Sequence, residues 1–529
     1  MSWIVIGREK DKFKFVSKSS MDALLPKGYF ITIDENDCNF ILRVEDSFQD
    51  FPYHPSPMII DMDLSPLIQD QKCQNTILAY PIKDLSSRTD GLINYIRPLV
   101  TARRSTQEEV DKAMGGDNST GPKVFLGTIQ GTENHILMDE NGKFLTASLP
   151  DDFFFHQTMI CGKTGSGKTV STKYLAQYFV EQMEGAVLAI NVKDIDFLTM
   201  DKASNSLTDQ ILKEWDVLGE EARGIESTVI YYPSTTEMKN NREINQDICK
   251  AITLDVTTIE PTSLLGVLQN ISEIGSQYLP DIFRYWKEEE VASKKDPEEY
   301  FKFEKFVEWF ASINKGKGDE KNVFPIKSAR GSIDDVPLHH GTAQNVLRSL
   351  RSAIDFFDDS SAKPIDGNSI LEPGKISIID IQDERSKIFG SILLRQLLHH
   401  IVDLKSKKDS DVPVLVIIDE VHQFYNTDSS KEALGDLDTI CRQGRSQKIG
   451  IIFSSQNPTD IPKGLSSVIN TKIFFKSDSM AAKTVGISIS DTEFENLNRG
   501  FAIVNVHDRP QLKVVKFPLS FAGVYKEAE

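Results

Sequence analysis

Residues 158–169 read Thr158-Met159-Ile160-Cys161-Gly162-Lys163-Thr164-Gly165-Ser166-Gly167-Lys168-Thr169. A short apolar run enters a glycine-rich turn that fills every fixed position of GxxxxGK[ST]. Beyond it Val170, Tyr174, Leu175, Phe179 and Met183 recur at helical spacing. Strand, turn and helix in that order make a cradle for phosphate. The glycines let backbone N–H groups converge on an anion, and the helix N-terminus adds partial positive charge. Gly162, Lys163, Thr164, Gly165, Ser166, Gly167, Lys168 and Thr169 are therefore expected to hold the phosphates of ATP. Lys168 supplies a point charge at the β- and γ-phosphates, and the Thr169 hydroxyl is a ligand for Mg2+.

A second motif completes the chemistry. Val414-Leu415-Val416-Ile417-Ile418 is a continuous apolar run that ends in Asp419 and Glu420. Buried parallel strands open at their carboxyl ends onto the ligand crevice of α/β folds. Asp419 is placed there as a Mg2+ ligand through its water shell. Glu420 is the base that polarises the attacking water. The next apolar run, Ile449 to Ser455, ends in Gln456, a polar residue suited to sense a γ-phosphate and orient water, with Ser455 behind it. The competing reading of Gln456 is an ordinary polar strand end. Upstream, Arg442 and Arg445 lie in Arg442-Gln443-Gly444-Arg445. An arginine fork from a neighbouring subunit would stabilise transition-state charge. A DNA-phosphate contact and a solvated basic helix end are the alternatives.

The remainder of the chain frames these motifs. The 529 residues imply several domains, and 40% hydrophobic with 26% charged residues excludes wholesale disorder. The net charge of −18 excludes a generally basic nucleic-acid coat. A confined cationic channel remains compatible, because screening acts within roughly 8–10 Å. Lys315, Lys317, Lys321, Lys327 and Arg330 are possible pore residues, each also readable as part of a solvated loop. The five cysteines, Cys38, Cys73, Cys161, Cys249 and Cys441, show no CxxC spacing, which argues against a disulfide framework and a structural zinc. His339-His340 and His399-His400 lack the i,i+4 spacing of a helical metal site. No basic-then-apolar leader begins the sequence and no apolar run approaches the ~20 residues of a membrane span, so a soluble cytoplasmic protein is expected.

Short β-like runs punctuated by turns over residues 1–110 suggest a small barrel or sandwich. Gly115 to Pro122 reads as a linker. Strands are expected at Thr158–Cys161, Ala186–Asn191, Val229–Tyr232, Ile376–Asp380, Val414–Asp419, Gly450–Ser455 and Lys472–Lys476, as a parallel sheet covered on both faces. Between them, residues 234–370 turn helical and charged. There Asp296 is placed as the cap of one helix, with Pro297 at its first position and Tyr300, Phe303, Phe306, Val307 and Phe310 as its core-facing stripe.

The order of motifs resembles the HerA/FtsK group of DNA-translocating ATPases, and HerA most of all. The resemblance rests on His156 to Thr169, on Ile417-Ile418-Asp419-Glu420-Val421-His422, and on Arg442-Gln443-Gly444-Arg445 followed by Ile449 to Pro458. It implies an α/β, RecA-like P-loop fold with a mostly parallel sheet. Residues 1–122 would form an N-terminal β-barrel-like domain. Residues 123–233 and 371–529 would be the two parts of the ATPase domain, the second with C-terminal strands, and 234–370 an inserted helical subdomain. The resemblance further implies a homo-hexamer that draws double-stranded DNA through a central channel. ATP would be hydrolysed between subunits, beside a NurA-like partner nuclease or an anti-phage defence effector, in DNA end processing or defence. Two departures stand out. The second ATPase strand, which in HerA proteins often ends in an acid followed by proline, runs Ile190-Asn191-Val192-Lys193-Asp194-Ile195-Asp196, leaving Asn191 or Asp196 as substitutes. Asn457 also stands where Arg is commoner. Two further readings are a conjugation- or secretion-type ring ATPase and an ATP-gated scaffold that assembles an effector.

Overall fold

The computed structural model describes residues 3–18, 24–35, 38–50, 74–86, 95–114, 121–130, 133–139, 141–193, 195–238, 241–267, 273–314, 321–382, 384–421, 444–461, 468–487, 494–506 and 512–526. The first six strands are β1 (Trp3–Glu9), β2 (Lys12–Lys18), β3 (Phe30–Glu35), β4 (Cys38–Asp50), β5 (Gln74–Asp84) and β6 (Thr101–Arg104). They close an antiparallel barrel in the order β1-β2-β5-β4-β3-β6. Alternation along β1 buries Trp3 and Val5 and exposes Ile4 and Ile6, as a two-residue period on a closed sheet demands. Of the expected linker, Gly115 to Thr120 lie outside the described residues, while Gly121 and Pro122 are buried.

The second sheet draws on β7 (Lys123–Gln130), β8 (Glu133–Ile136), β9 (Thr146–Ser148), β10 (Thr158–Cys161), β11 (Ala186–Asn191), β12 (Thr228–Pro233) and β13 (Cys249–Ile252). A separate antiparallel pair, β14 (Lys321–Lys327) and β15 (Ile333–His339), intervenes. The second sheet then takes β16 (Ile376–Asp380), β17 (Val414–Ile418), β18 (Ile449–Ser455), β19 (Thr471–Phe474), β20 (Phe501–Asn505) and β21 (Leu512–Lys516). Its order is β13-β12-β16-β11-β17-β18-β10-β19-β20-β21-β7-β8, with β9 on β7. Pairings from β13 to β19 are parallel. Those beyond β19 are antiparallel. Every residue of β10, β11, β17 and β18 is buried. These continuous apolar runs lie between two cores. On one face pack Tyr174, Leu175 and Phe179 of helix α1 (Lys168–Gln182), together with the barrel core. On the other pack Phe283, Trp286, Phe303 and Phe306 from the central block and Leu393 and Leu397 of the long helix Glu384–Lys407. This is the expected α/β fold, with one strand, β18, between the phosphate-turn strand β10 and the Asp419–Glu420 strand β17.

The central block differs from its helical expectation in two ways. β13 adds to the edge of the main sheet, and β14–β15 form a hairpin. The helix expected from Asp296 breaks into Pro297–Tyr300 and Phe303–Ile313, and Asp296 makes no side-chain cap bond. The distant Asp358 instead accepts the Phe303 N–H at 2.9 Å and the Val256 N–H at 3.2 Å. A tertiary acceptor has replaced the local cap. The stripe itself is core: Phe303, Phe306, Val307 and Phe310 are buried. On the hairpin, Lys321 and Arg330 are exposed, but Lys327 is held by Glu288 and Glu289 and is not an open cation. Lys315 and Lys317 lie outside the described residues.

Gln157 fixes how β10 meets β18. It adopts a left-handed backbone (φ 54°) and is buried. Its amide donates to Ile449 O at 3.4 Å and accepts from Ile451 N at 2.7 Å. Gly450 is required beside it, since a Cβ there would lie 2.3 Å from Phe154 O. Gln157→Leu leaves the Ile451 N–H buried without its acceptor. Urea denaturation should show a loss of about 1–3 kcal/mol, and an unchanged midpoint would contradict this anchoring role.

Candidate functional site: the carboxyl edge of β10, β18 and β17

The glycine-rich turn is built by close approach. Gly165 (φ 79°) and Gly167 (φ 106°) occupy conformations that L side chains rarely adopt. A Cβ on Gly167 would lie 2.9 Å from Gly500 N, and Gly500 N donates to Ser166 O at 2.9 Å. Gly162 N reaches Ser455 O at 3.3 Å and Lys163 N reaches Lys476 O at 2.8 Å, so the turn is stitched to the ends of both flanking strands. Lys163, Thr164 and Gly165 face solvent, whereas Lys168 is buried at the first position of α1.

Lys168 points toward the end of β17. Its Nζ lies 3.6 Å from Glu420 Oε1. The same oxygen accepts from Gln456 Nε2 at 3.2 Å and from Lys193 Nζ. Three of the residues singled out in the sequence, Lys168, Glu420 and Gln456, are thus brought together. The parallel register aligns Ile418 with Phe453, and Cys161 with Ser455, so all three strands end along one line. Glu420 is 2% exposed and holds φ 46°. A non-glycine residue there stores roughly 1–3 kcal/mol, which persists only where the surroundings over-determine it. Burial works to raise the Glu420 carboxyl, but the Lys193 hydrogen bond, the Lys168 charge and the Gln456 amide outweigh it. The group sits below the usual glutamate range and stays ionised. Asp419 accepts from Glu420 N at 3.0 Å. Burial pushes its carboxyl up, against the opposing charge of Lys168.

Lys193 is the residue that sequence reasoning did not single out. It follows β11, whose Ile190 pairs with Ile418, and so arrives at the same edge. Asn191 is occupied elsewhere: its amide donates to Asp380 Oδ1 at 2.9 Å and accepts from Phe197 N at 3.3 Å. Asp196 acts on the buried Lys173, whose ammonium burial depresses to about 8 and the Asp196 charge raises. Ser455 is bonded to Asp460 rather than backing Gln456.

Arg445 does not join the cluster. It precedes β18, while Gln456 follows it, and that seven-residue strand separates them by about 20 Å. There Arg445 is largely exposed and ion-paired to Asp152 at 3.3 Å, and Asp152 also meets His156 at 3.2 Å. Arg442 and His422 lie outside the described residues.

The donors present fit a nucleotide-bound Mg2+. Thr169 offers a half-buried hydroxyl and Asp419 a carboxylate, both hard oxygen ligands. The Ser166 hydroxyl is buried without a hydrogen-bond partner among the described residues, inside a turn whose Gly162 has no room for a Cβ. Cys161, beside the turn, is held protonated by burial, which pushes its thiol far up.

Residues 362–480 match the family described as helicase HerA-like C-terminal. A DNA double-strand break repair helicase HerA of Sulfolobus acidocaldarius is 26% identical over 154 residues, 28% of this chain and 31% of that protein. The match therefore spans less than a third of the relative's length. Among solved structures, the bacterial conjugative coupling protein TrwB overlays with TM-score 0.48 and 12% identity, covering 80% of this chain and 94% of that one. VirB4 of Thermoanaerobacter pseudethanolicus overlays with TM-score 0.45 and 12% identity, covering 76% and 97%. The matched segment, residues 362–480, carries β16 to β19 with Asp419, Glu420 and Gln456.

Proposed function

We propose that this chain is an ATPase of HerA type that assembles as a homo-hexameric ring and moves along double-stranded DNA. The convergence of Lys168, Gln456 and Glu420 on one strand edge, beside a GxxxxGK[ST] turn, carries the reading. In this account Lys168 leaves Glu420 for the β- and γ-phosphates, and the turn's N–H groups cradle the anion. Glu420 accepts the proton of the attacking water, and Gln456 orients that water. Thr169 and Asp419 would hold Mg2+, which neutralises charge between the phosphates. Arg445 faces the wrong edge for its own site and serves a neighbouring subunit's. Residues 123–233 and 371–529 form the ATPase domain, 234–370 are inserted into it, and 1–122 precede it as the barrel-bearing domain. A NurA-like nuclease or a defence effector is the partner class we assign to the assembly. No described helix is long and apolar enough to cross a membrane.

Steady-state ATP hydrolysis with and without linear duplex DNA tests this reading. Turnover should rise with DNA, and Lys168→Ala should abolish nucleotide retention while leaving the circular dichroism spectrum unchanged. Full turnover by Lys168→Ala, or DNA-indifferent wild type, would contradict it. If about six phosphates are gripped, the log–log slope of DNA affinity against salt should be about −5, and a flat response argues against a phosphate-lined channel. Arg445→Ala should lower turnover by about 10³-fold or more with ATP affinity retained. Mixing it with Lys168→Ala chains, each inactive alone, should restore activity if Arg445 acts across the subunit boundary, and a mixture without activity would remove that role.

A further inference from the structure

Glu420 is clasped by two ammonium groups that differ in kind. Lys168 belongs to the phosphate turn and is itself buried, 7% exposed against 2% for the carboxylate it faces. Lys193 has a side chain 41% exposed, against 2% for Glu420, and reaches in from the rim to the same Oε1. Only one of them can keep this contact during a reaction cycle. Once a triphosphate occupies the turn, the charge of Lys168 is drawn to the phosphates. A buried carboxylate stripped of its cation is unfavourable and tends to rotate out. Gln456 supplies a neutral donor at 3.2 Å, leaving Lys193 as the second ammonium on that oxygen.

Lys193 owes its place to the sheet. β11 lies against β17 with Ile190 level with Ile418, so the residues that follow each strand face one another across the edge. Asn191, two residues earlier at the end of β11, bonds Asp380 and Phe197 and fixes the departure of this segment from the sheet.

We propose that Lys193 is a positioning residue for ATP cleavage. It keeps the Glu420 carboxylate at the γ-phosphate end of the site after Lys168 has turned to the phosphates. This rests on the ATPase reading above and adds a residue to it.

The test is steady-state ATP hydrolysis by the full chain carrying Lys193→Met, which keeps the stem and removes the charge, and Lys193→Arg, which keeps the charge. Lys193→Met should lower kcat by about 10–100-fold, the usual cost of misplacing a reacting group or removing its supporting partner, with KM for ATP nearly unchanged. Lys193→Arg should regain most of the loss. In a Glu420→Gln background, Lys193→Met should cause no further fall, because the group it positions is gone. Wild-type kcat in Lys193→Met, a KM rise that matches the kcat loss, or an arginine variant no better than the methionine variant would each overturn the assignment. The two readings fail differently. If wild type hydrolyses ATP, Glu420→Gln is slow and Lys193→Met is normal, the role of Lys193 alone falls. If wild type neither retains nor cleaves ATP, both fall.

Discussion

A carboxylate that is almost wholly buried must be given positive charge and hydrogen-bond donors, or it will not stay ionised. Glu420 meets that requirement with Lys168, Lys193 and Gln456, and much of the local architecture follows from it. Each donor comes from a different strand end: β10 through its turn, β11 through the segment after Asn191, and β18 through Gln456, the residue that follows it. The parallel order β11-β17-β18-β10 is what brings those ends to one edge. An antiparallel arrangement of any one of them would carry its donor to the far side.

The same strand that ends near Glu420 begins near Arg445. β18 therefore joins two opposite edges of the sheet, and Gln157 locks its first residues to the entry of β10. Asp152, just ahead of that entry, holds both Arg445 and His156. In the proposed ring, displacement of the arginine would be felt by the strand that carries Gln456 and by the strand that leads into the phosphate turn. Buried, close-packed strands with no room at Gly450 for a methyl group transmit such movement rather than absorb it.

Much of this was legible in the sequence because it is local. The glycine turn, the apolar runs ending in Asp419–Glu420 and Gln456, and the short strands of the barrel each declare themselves within about ten residues. What escaped depends on partners far along the chain. Lys193 is an unremarkable lysine until β11 is placed beside β17. Asp296 looked like a helix cap, yet Asp358 from another segment serves the Phe303 N–H. β13 lies in a charged, helix-rich block and gains its identity by pairing with β12. Lys327 looked like an open cation, and Glu288 and Glu289 in the helical turn Trp286–Glu290 claim it.

The central claim is that Lys168 exchanges a carboxylate for a phosphate. A structure of the Glu420→Gln chain with ATP and Mg2+ tests it most directly. The account predicts the triphosphate lying over Gly165 to Thr169, with the Lys168 ammonium moved off position 420 and onto the β- and γ-phosphates. A nucleotide bound elsewhere, or a Lys168 that keeps its place beside position 420 while ATP is present, would contradict it.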